Sequence, residues 1–149
     1  MSASTRVVVT GLGVISPLGN DLATFWRRLV AGESGVGEIT RFDHSEYRVH
    51  IAAEVQGFNA EDYMEKRQVR RLDLFSQFAV AAGKGAAADA GFDPRPEATR
   101  VGAVIGSGVG GLQTLHAETL KLLEKGPERV NPLLVPMMIP NMGAAHVSL

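Results

Sequence analysis

Residues 101–112, Val-Gly-Ala-Val-Ile-Gly-Ser-Gly-Val-Gly-Gly-Leu, run from a β-branched, apolar stretch straight into a glycine cluster. Four of the six residues from 106 to 111 are glycine, and Gly102 lies just upstream. A backbone that gives up its side chains over that length is being brought close to something, either another backbone or a ligand. The segment is not a phosphate-binding P-loop, because no Gly-Lys-Ser/Thr follows it. It is not a hydrolase elbow around Ser107 either, because Ile105 and Val109 stand where that turn needs glycines. Two compatible readings remain: close backbone packing and the wall of a substrate pocket.

A second glycine pattern, Thr10-Gly11-Leu12-Gly13-Val14-Ile15-Ser16, follows the apolar run at residues 6–10. Ser16 occupies the third glycine position of the dinucleotide fingerprint, and Pro17 follows at once. No helix starts directly on the loop, so no helix N-terminus is offered to a pyrophosphate. A tight strand-to-helix turn accounts for the pattern better.

Around these two segments the chain alternates. Residues 6–10 and 100–106 read as buried strands, and residues 48–55 as a looser third strand. Asn20 is placed to cap a helix over residues 21–31 that buries Leu22, Phe25, Trp26 and Leu29 and stops at Gly32. Residues 32–46 read as loop. The spacing of Leu72, Phe75, Ala79, Ala82, Ala86 and Ala90 predicts one long helix over residues 66–90, capped by Gly91. Its alanine-rich end suits close packing against a sheet or another helix. Residues 93–96 form a turn. A further helix spans residues 112–125 and ends at Gly126-Pro127, residues 131–141 are rich in proline and methionine, and a last helix begins near Asn141. Strands alternating with helices predict an α/β layered fold with a mixed or parallel sheet.

Composition removes several functions. At 149 residues with 45% apolar and 21% charged residues, the chain reads as one globular domain. A net charge of −1 gives no general basis for nucleic-acid binding. There is no cysteine, hence no disulfide, thiolate metal site or cysteine nucleophile within these residues. The four histidines, His44, His50, His116 and His146, lack metal-site spacing, and His146 in its apolar setting reads as a hydrogen-bonded core residue rather than a base. With no signal core and no apolar run near the ~18 residues of a membrane span, the expectation is a cytoplasmic protein that does not engage membranes.

One charged cluster stands out. Lys66, Arg67, Arg70 and Arg71 fall on one side of a predicted helix start, where cations oppose the macrodipole. An acidic protein partner or a phosphate would suit them, and an ordinary solvated face is the plain alternative.

Taken together, several segments in order resemble the β-ketoacyl-acyl-carrier-protein synthases, most closely the synthase II type. They are residues 6–19, Phe25-Trp26 with Ala31-Gly-Glu-Ser-Gly35, Arg70-Arg-Leu-Asp73, residues 100–111, and Ile139-Pro-Asn-Met142 with His146. The resemblance runs from Arg6 to Leu149. It implies a thiolase-like layered αβαβα fold of which residues 1–149 form most of the N-terminal half, a β-ketoacyl synthase domain that stops before its nucleophile. The family's cysteine would lie shortly beyond Leu149, with its histidines and lysine further on. None of His44, His50, His116 or His146 matches them, so no catalytic residue is expected here. The implied reaction is a decarboxylative Claisen condensation of an acyl thioester with malonyl-acyl carrier protein in fatty-acid elongation. No metal or cofactor is implied, and the chain alone would be inactive.

By the same resemblance, Gly108 and Val109 lie at the floor of the acyl tunnel, where the bulk of residue 109 limits chain length. Leu134 corresponds to the position that reaches that tunnel from the other subunit of a homodimer. Lys66, Arg67, Arg70 and Arg71 would dock the acidic carrier protein. Two other readings stand beside this one: a non-catalytic partner similar to the chain-length factors of polyketide synthases, and a self-contained α/β binding module. A cysteine just after Leu149 would favour the synthase, and a glutamine there the chain-length factor.

Overall fold

A computed structural model describes residues 6–149. Its elements are α1 (Leu22–Val30), β1 (Gly37–Glu38), β2 (Ile51–Ala52), α2 (Lys66–Val69), α3 (Leu74–Asp89), α4 (Leu112–Lys125), α5 (Leu134–Met138) and α6 (Met142–Ser148). Single 3₁₀ turns lie at Ala60–Asp62 and Pro127–Arg129, and a six-residue 3₁₀ segment kinked at Glu97 spans Arg95–Arg100.

The predicted long helix is interrupted, and the interruption has a cause in the sequence. Leu72 turns inward and is buried, while Asp73 adopts an extended backbone and accepts a hydrogen bond from Phe75 N. An aspartate that can bond the backbone two residues on favours a helix start over a helix interior. α2 is therefore only four residues long, and α3 begins afresh at Leu74. At its other end α3 closes as predicted. Gly91 takes a left-handed φ of 58°, and the amides of Gly91 and Phe92 bond back to Ala88 O and Ala87 O.

α3 is the axis of the molecule, and different faces of it meet different partners. Ser76, Val80 and Ala81 are its buried residues. Val80 joins Leu72, Ala60 and Met64 in the core, against Phe58, Tyr63, Val69 and Val147. The alanine stripe faces elsewhere: Ala82, Ala86 and Ala90 lie under Gly11 and Gly13, and Ala79 lies under Gly143 of α6. Close packing by small residues is thus realised on both sides. The buried row runs Leu72, Ser76, Val80, and of these only Leu72 belongs to the apolar stripe, because a serine sits in the row's middle. The Ser76 hydroxyl is enclosed without a hydrogen-bond partner among the described residues.

The strands depart most from expectation. Among the described residues the one ladder is the short antiparallel pair β1–β2, with Gly37 opposite Ala52 and Glu38 opposite Ile51. β1 falls within the segment expected to be loop. Residues 6–10 and 100–106 join no ladder, and they are not buried strands: Val7 is 93% exposed and Val104 fully exposed. A strand is defined by neighbours that take its backbone hydrogen bonds, and no such neighbour meets these two segments among the described residues. Residues 103–107 nevertheless keep a period of two. Ala103, Ile105 and Ser107 are half-buried, and Ile105 packs near Gly143.

α1 also differs. Asp21, not Asn20, caps it by accepting from Thr24 N at 2.8 Å, and that bond holds the Asp21 carboxyl below the usual carboxylate range. Asn20 instead donates to Gln56 O. None of α1's residues is buried, and Trp26 and Leu29 are exposed. α4 spans the predicted residues and ends on Gly126 at φ 81°. α6 starts after Asn141 as expected, but the segment before it contains α5, which proline and methionine content concealed.

Candidate functional site

The glycine cluster is a folded turn with two unlike ends. Gly110 has φ 82°, a conformation that side chains rarely adopt, and its amide donates to Ser107 Oγ at 3.0 Å. Ser107 is thus a turn clamp, and its hydroxyl is engaged as an acceptor. Gly111 is buried, and its amide donates to Met138 O at 2.8 Å. A Cβ on Gly111 would stand 2.7 Å from Met137 O, and one on Gly110 would overlap Met138 O. These two glycines let the backbone of α5's end lie against the turn. Gly106 and Gly108 are different. Among the described residues, nothing beyond their chain neighbours lies within 4 Å of a Cβ built on either. Val109 between the two ends is 63% exposed.

Leu134 is half-buried at the start of α5, whose last residues Met137 and Met138 meet Gly110 and Gly111. Its segment is moored from below by Glu118. That side chain is 5% exposed, pairs with Lys121, and accepts from Asn131 N at 2.7 Å. The Lys121 ammonium first, and the Asn131 amide second, hold the Glu118 carboxyl below its ordinary value. Asn131 Oδ1 in turn accepts from Leu133 N at 2.9 Å. The structure therefore brings the turn carrying Val109 against the end of α5, the helix that starts at Leu134.

An open groove of about 650 Å³ is bordered by Phe75, Phe78, Leu112, His116 and Leu120, and by Gly110 and Asp73. Its wall is largely apolar, with side chains of α3 and α4 prominent, and Phe42 and the charged Arg41 and Glu54 complete it.

The basic cluster is not set on one long helix. Lys66 and Arg67 lie in α2, Arg70 is its C-cap, and Arg71 precedes the inward Leu72. The expected conflict with a helix macrodipole is removed, because α2 is a single turn and Asp73 stands between the arginines and α3. All four side chains are exposed. Lys66 Nζ approaches Glu61 Oε1 at 3.8 Å, and Arg67, Arg70 and Arg71 make no ion pair among the described residues. They remain available to an acidic surface.

The histidines are scattered. His44 and His50 share a 2.9 Å contact between their Nδ1 atoms, with Glu38 3.5 Å from His44 Nε2. No group of three metal-ligating side chains is found among the described residues. His116 is exposed on the groove's edge. His146 is half-buried on α6, and its ring makes no hydrogen bond among the described residues, against the expectation of a bonded core histidine. No described helix is long and apolar enough to cross a membrane.

This architecture is that of the ketosynthases, a thiolase-like fold. A β-ketoacyl synthase from Burkholderia phymatum STM815 superposes over 97% of this chain with TM-score 0.79 at 29% identity, and the ishigamide ketosynthase/chain length factor over 98% with TM-score 0.84 at 28% identity. They are matched over 36% and 37% of their own lengths, respectively. Residues 4–149 match the family described as beta-ketoacyl synthase, N-terminal domain, and the chain belongs to that family. It is 45% identical over its whole length to 3-oxoacyl-[acyl-carrier-protein] synthase 2 of Staphylococcus aureus (strain COL), and 44% identical over 97% of its length to the enzyme of that name from Vibrio cholerae. The chain spans 36% and 35% of those two relatives.

Proposed function

We propose that these residues are the acyl-selecting and carrier-docking portion of a 3-oxoacyl-acyl-carrier-protein synthase. The observation that carries the reading is the turn at residues 106–111. Two of its glycines are consumed by packing, while Gly106 and Gly108 face open space on either side of Ser107 and next to Val109. The likeness over the whole chain to enzymes named 3-oxoacyl-[acyl-carrier-protein] synthase 2 supports the same reading.

In the proposed reaction a cysteine thiolate attacks the thioester of an acyl-carrier, takes the acyl group and releases the carrier thiol. Malonyl-carrier then loses carbon dioxide, and the resulting carbanion attacks the enzyme-bound thioester, freeing the cysteine and giving a 3-oxoacyl-carrier. Covalent catalysis divides one hard step into two easier ones. This chain contains no cysteine, so the nucleophile would come from residues outside the 149. Within them, Gly108 and Val109 would close the acyl tunnel, Leu134 would reach the tunnel of a homodimeric partner, and Lys66, Arg67, Arg70 and Arg71 would hold the acidic carrier. The apolar faces left open at Val7, Val8, Val9 and Val104 would be covered within the intact enzyme. The site would be cytoplasmic and need no metal or cofactor.

The test is a condensation assay on the intact enzyme. Reversing Arg70 and Arg71 to glutamate should raise KM for the acyl-carrier by about tenfold or more and flatten its salt dependence, with little change toward a small-molecule thioester. Equal losses toward both substrates would refute the docking role. A chain-length-factor role has one observation in its favour, the superposition on the ishigamide ketosynthase/chain length factor. An intact protein that lacks the cysteine and forms no 3-oxoacyl product alone would establish that role instead.

A further inference from the structure

Asp73 is where three parts of the molecule meet. It is 6% exposed, and its two carboxylate oxygens serve different helices. Oδ1 accepts from Phe75 N at 3.2 Å and caps α3. Oδ2 accepts from Thr114 N at 3.0 Å and from Thr114 Oγ1 at 2.6 Å, in the first turn of α4. α4 has no cap of its own, because Gly111 holds the capping position and offers no side chain. Asp73 supplies, from 41 residues away, the acceptor that α4's local sequence lacks. It also abuts the glycine turn, since a Cβ on Gly111 would lie 3.1 Å from Asp73 Cγ. The same Cβ would stand 2.7 Å from Met137 O, and Gly111 N is bonded to Met138 O. The turn's last glycine thus touches both a buried carboxylate and α5, and Val109 lies two residues before it.

We propose that Asp73 is a positioning residue for acyl-chain selection: by tying the first turn of α4 to the start of α3, it fixes the glycine turn and with it the reach of Val109. The inference rests on the acyl-tunnel reading of Val109. A carboxylate suits this place for two reasons. It can accept from both helices at once, and its charge is favourable at two helix N-termini. Asparagine cannot do the same. Its single acceptor oxygen can serve the Phe75 amide or the Thr114 amide but not both, and its NH₂ faces the other, donor against donor. Asp73→Asn therefore breaks the tie between the two helix starts that hold the glycines.

The experiment combines amide hydrogen exchange with an acyl-chain-length profile, both on the intact enzyme. Wild type, Asp73→Asn, Thr114→Val and Val109→Phe are compared. In Asp73→Asn, exchange at Gly110, Gly111 and whichever of the Phe75 and Thr114 amides loses its acceptor should quicken by about tenfold, the loss expected for a charge-assisted hydrogen bond. The KM for the longest accepted acyl chains should shift by about threefold or more relative to short chains, with kcat for the preferred chain within about twofold. Thr114→Val deletes only the 2.6 Å bond and should move both readouts the same way by smaller factors. It carries the test if Asp73→Asn does not fold. Unchanged exchange would refute the clamp. Faster exchange with an unaltered length profile, while Val109→Phe shortens the accepted chain, would overturn the positioning role and leave the tunnel reading standing. If Val109→Phe leaves the profile unaltered as well, the tunnel reading falls and this inference with it.

Discussion

The two glycine segments look alike in sequence and behave differently in three dimensions. At residues 11–13 each glycine is spent on a helix. A methyl group on Gly13 would overlap Ala82 O, and one on Gly11 would overlap Ala86 O, so the backbone lies directly on α3. Leu12 N adds a bond to Asp89 Oδ2 at 2.8 Å. At residues 106–111 only the last two glycines are spent in this way, on α5, while a Cβ on Gly106 or Gly108 would meet nothing within 4 Å among the described residues beyond the adjoining ones. A glycine pressed against backbone reports packing. A glycine facing open space beside an exposed valine reports room left for something else.

That contrast can be broken at either segment. The largest effect is expected at Gly13. Gly13→Val forces side-chain atoms into α3's backbone and should lower stability by about 3 kcal/mol or more, read from the denaturant midpoint. A loss under about 1 kcal/mol would mean the segment does not lie on α3. At Gly110 the cost combines a left-handed φ of 82° with overlap on Met138 O. Gly110→Ala should cost about 1–3 kcal/mol by the same measurement. Gly108→Ala has no packing to disturb and should stay within about 0.5 kcal/mol of wild type. If it destabilises as much as Gly110→Ala, the two ends of the turn are not distinct.

The mooring of α5 gives a pH-dependent prediction. Glu118 has its carboxyl lowered by Lys121 and the Asn131 amide. Between the lowered folded value and the ordinary glutamate value, the unfolded chain binds more protons, so stability rises with pH there. The contribution is complete above the ordinary value and is lost as pH falls through the folded one. Thermal unfolding of Glu118→Gln should show a flatter pH dependence across that acidic window than wild type. An identical slope would remove Glu118 from the mooring.

Much of this was legible in the sequence, and the failures are instructive. α4 and its stop at Gly126, the Gly91 cap of α3 and the close packing of the alanine stripe all follow from spacing and glycine placement. The break at Leu72-Asp73 was missed because the apolar stripe continues in phase across it, and only the preference of aspartate for capping marks the restart. Residues 6–10 and 100–106 carry strong strand composition, yet strand formation needs partners that composition cannot supply. Of the site, the basic cluster stands out by its charge pattern, and Val109, Gly108 and Leu134 by resemblance. Asp73 enters only as the end of a resemblance segment, with no role attached, and Glu118 does not enter at all. Their roles depend on bonds across 41 and 13 residues, which no local pattern records.

The most direct test of the account is the acyl-chain-length profile of Val109→Phe in the intact condensing enzyme, measured as kcat/KM over thioesters of increasing length. A phenyl ring in the open stretch beside Gly108 should cut activity on the longest chains by about tenfold or more while sparing the shortest. A profile that falls uniformly, or does not change, would contradict the assignment of this turn to the acyl site.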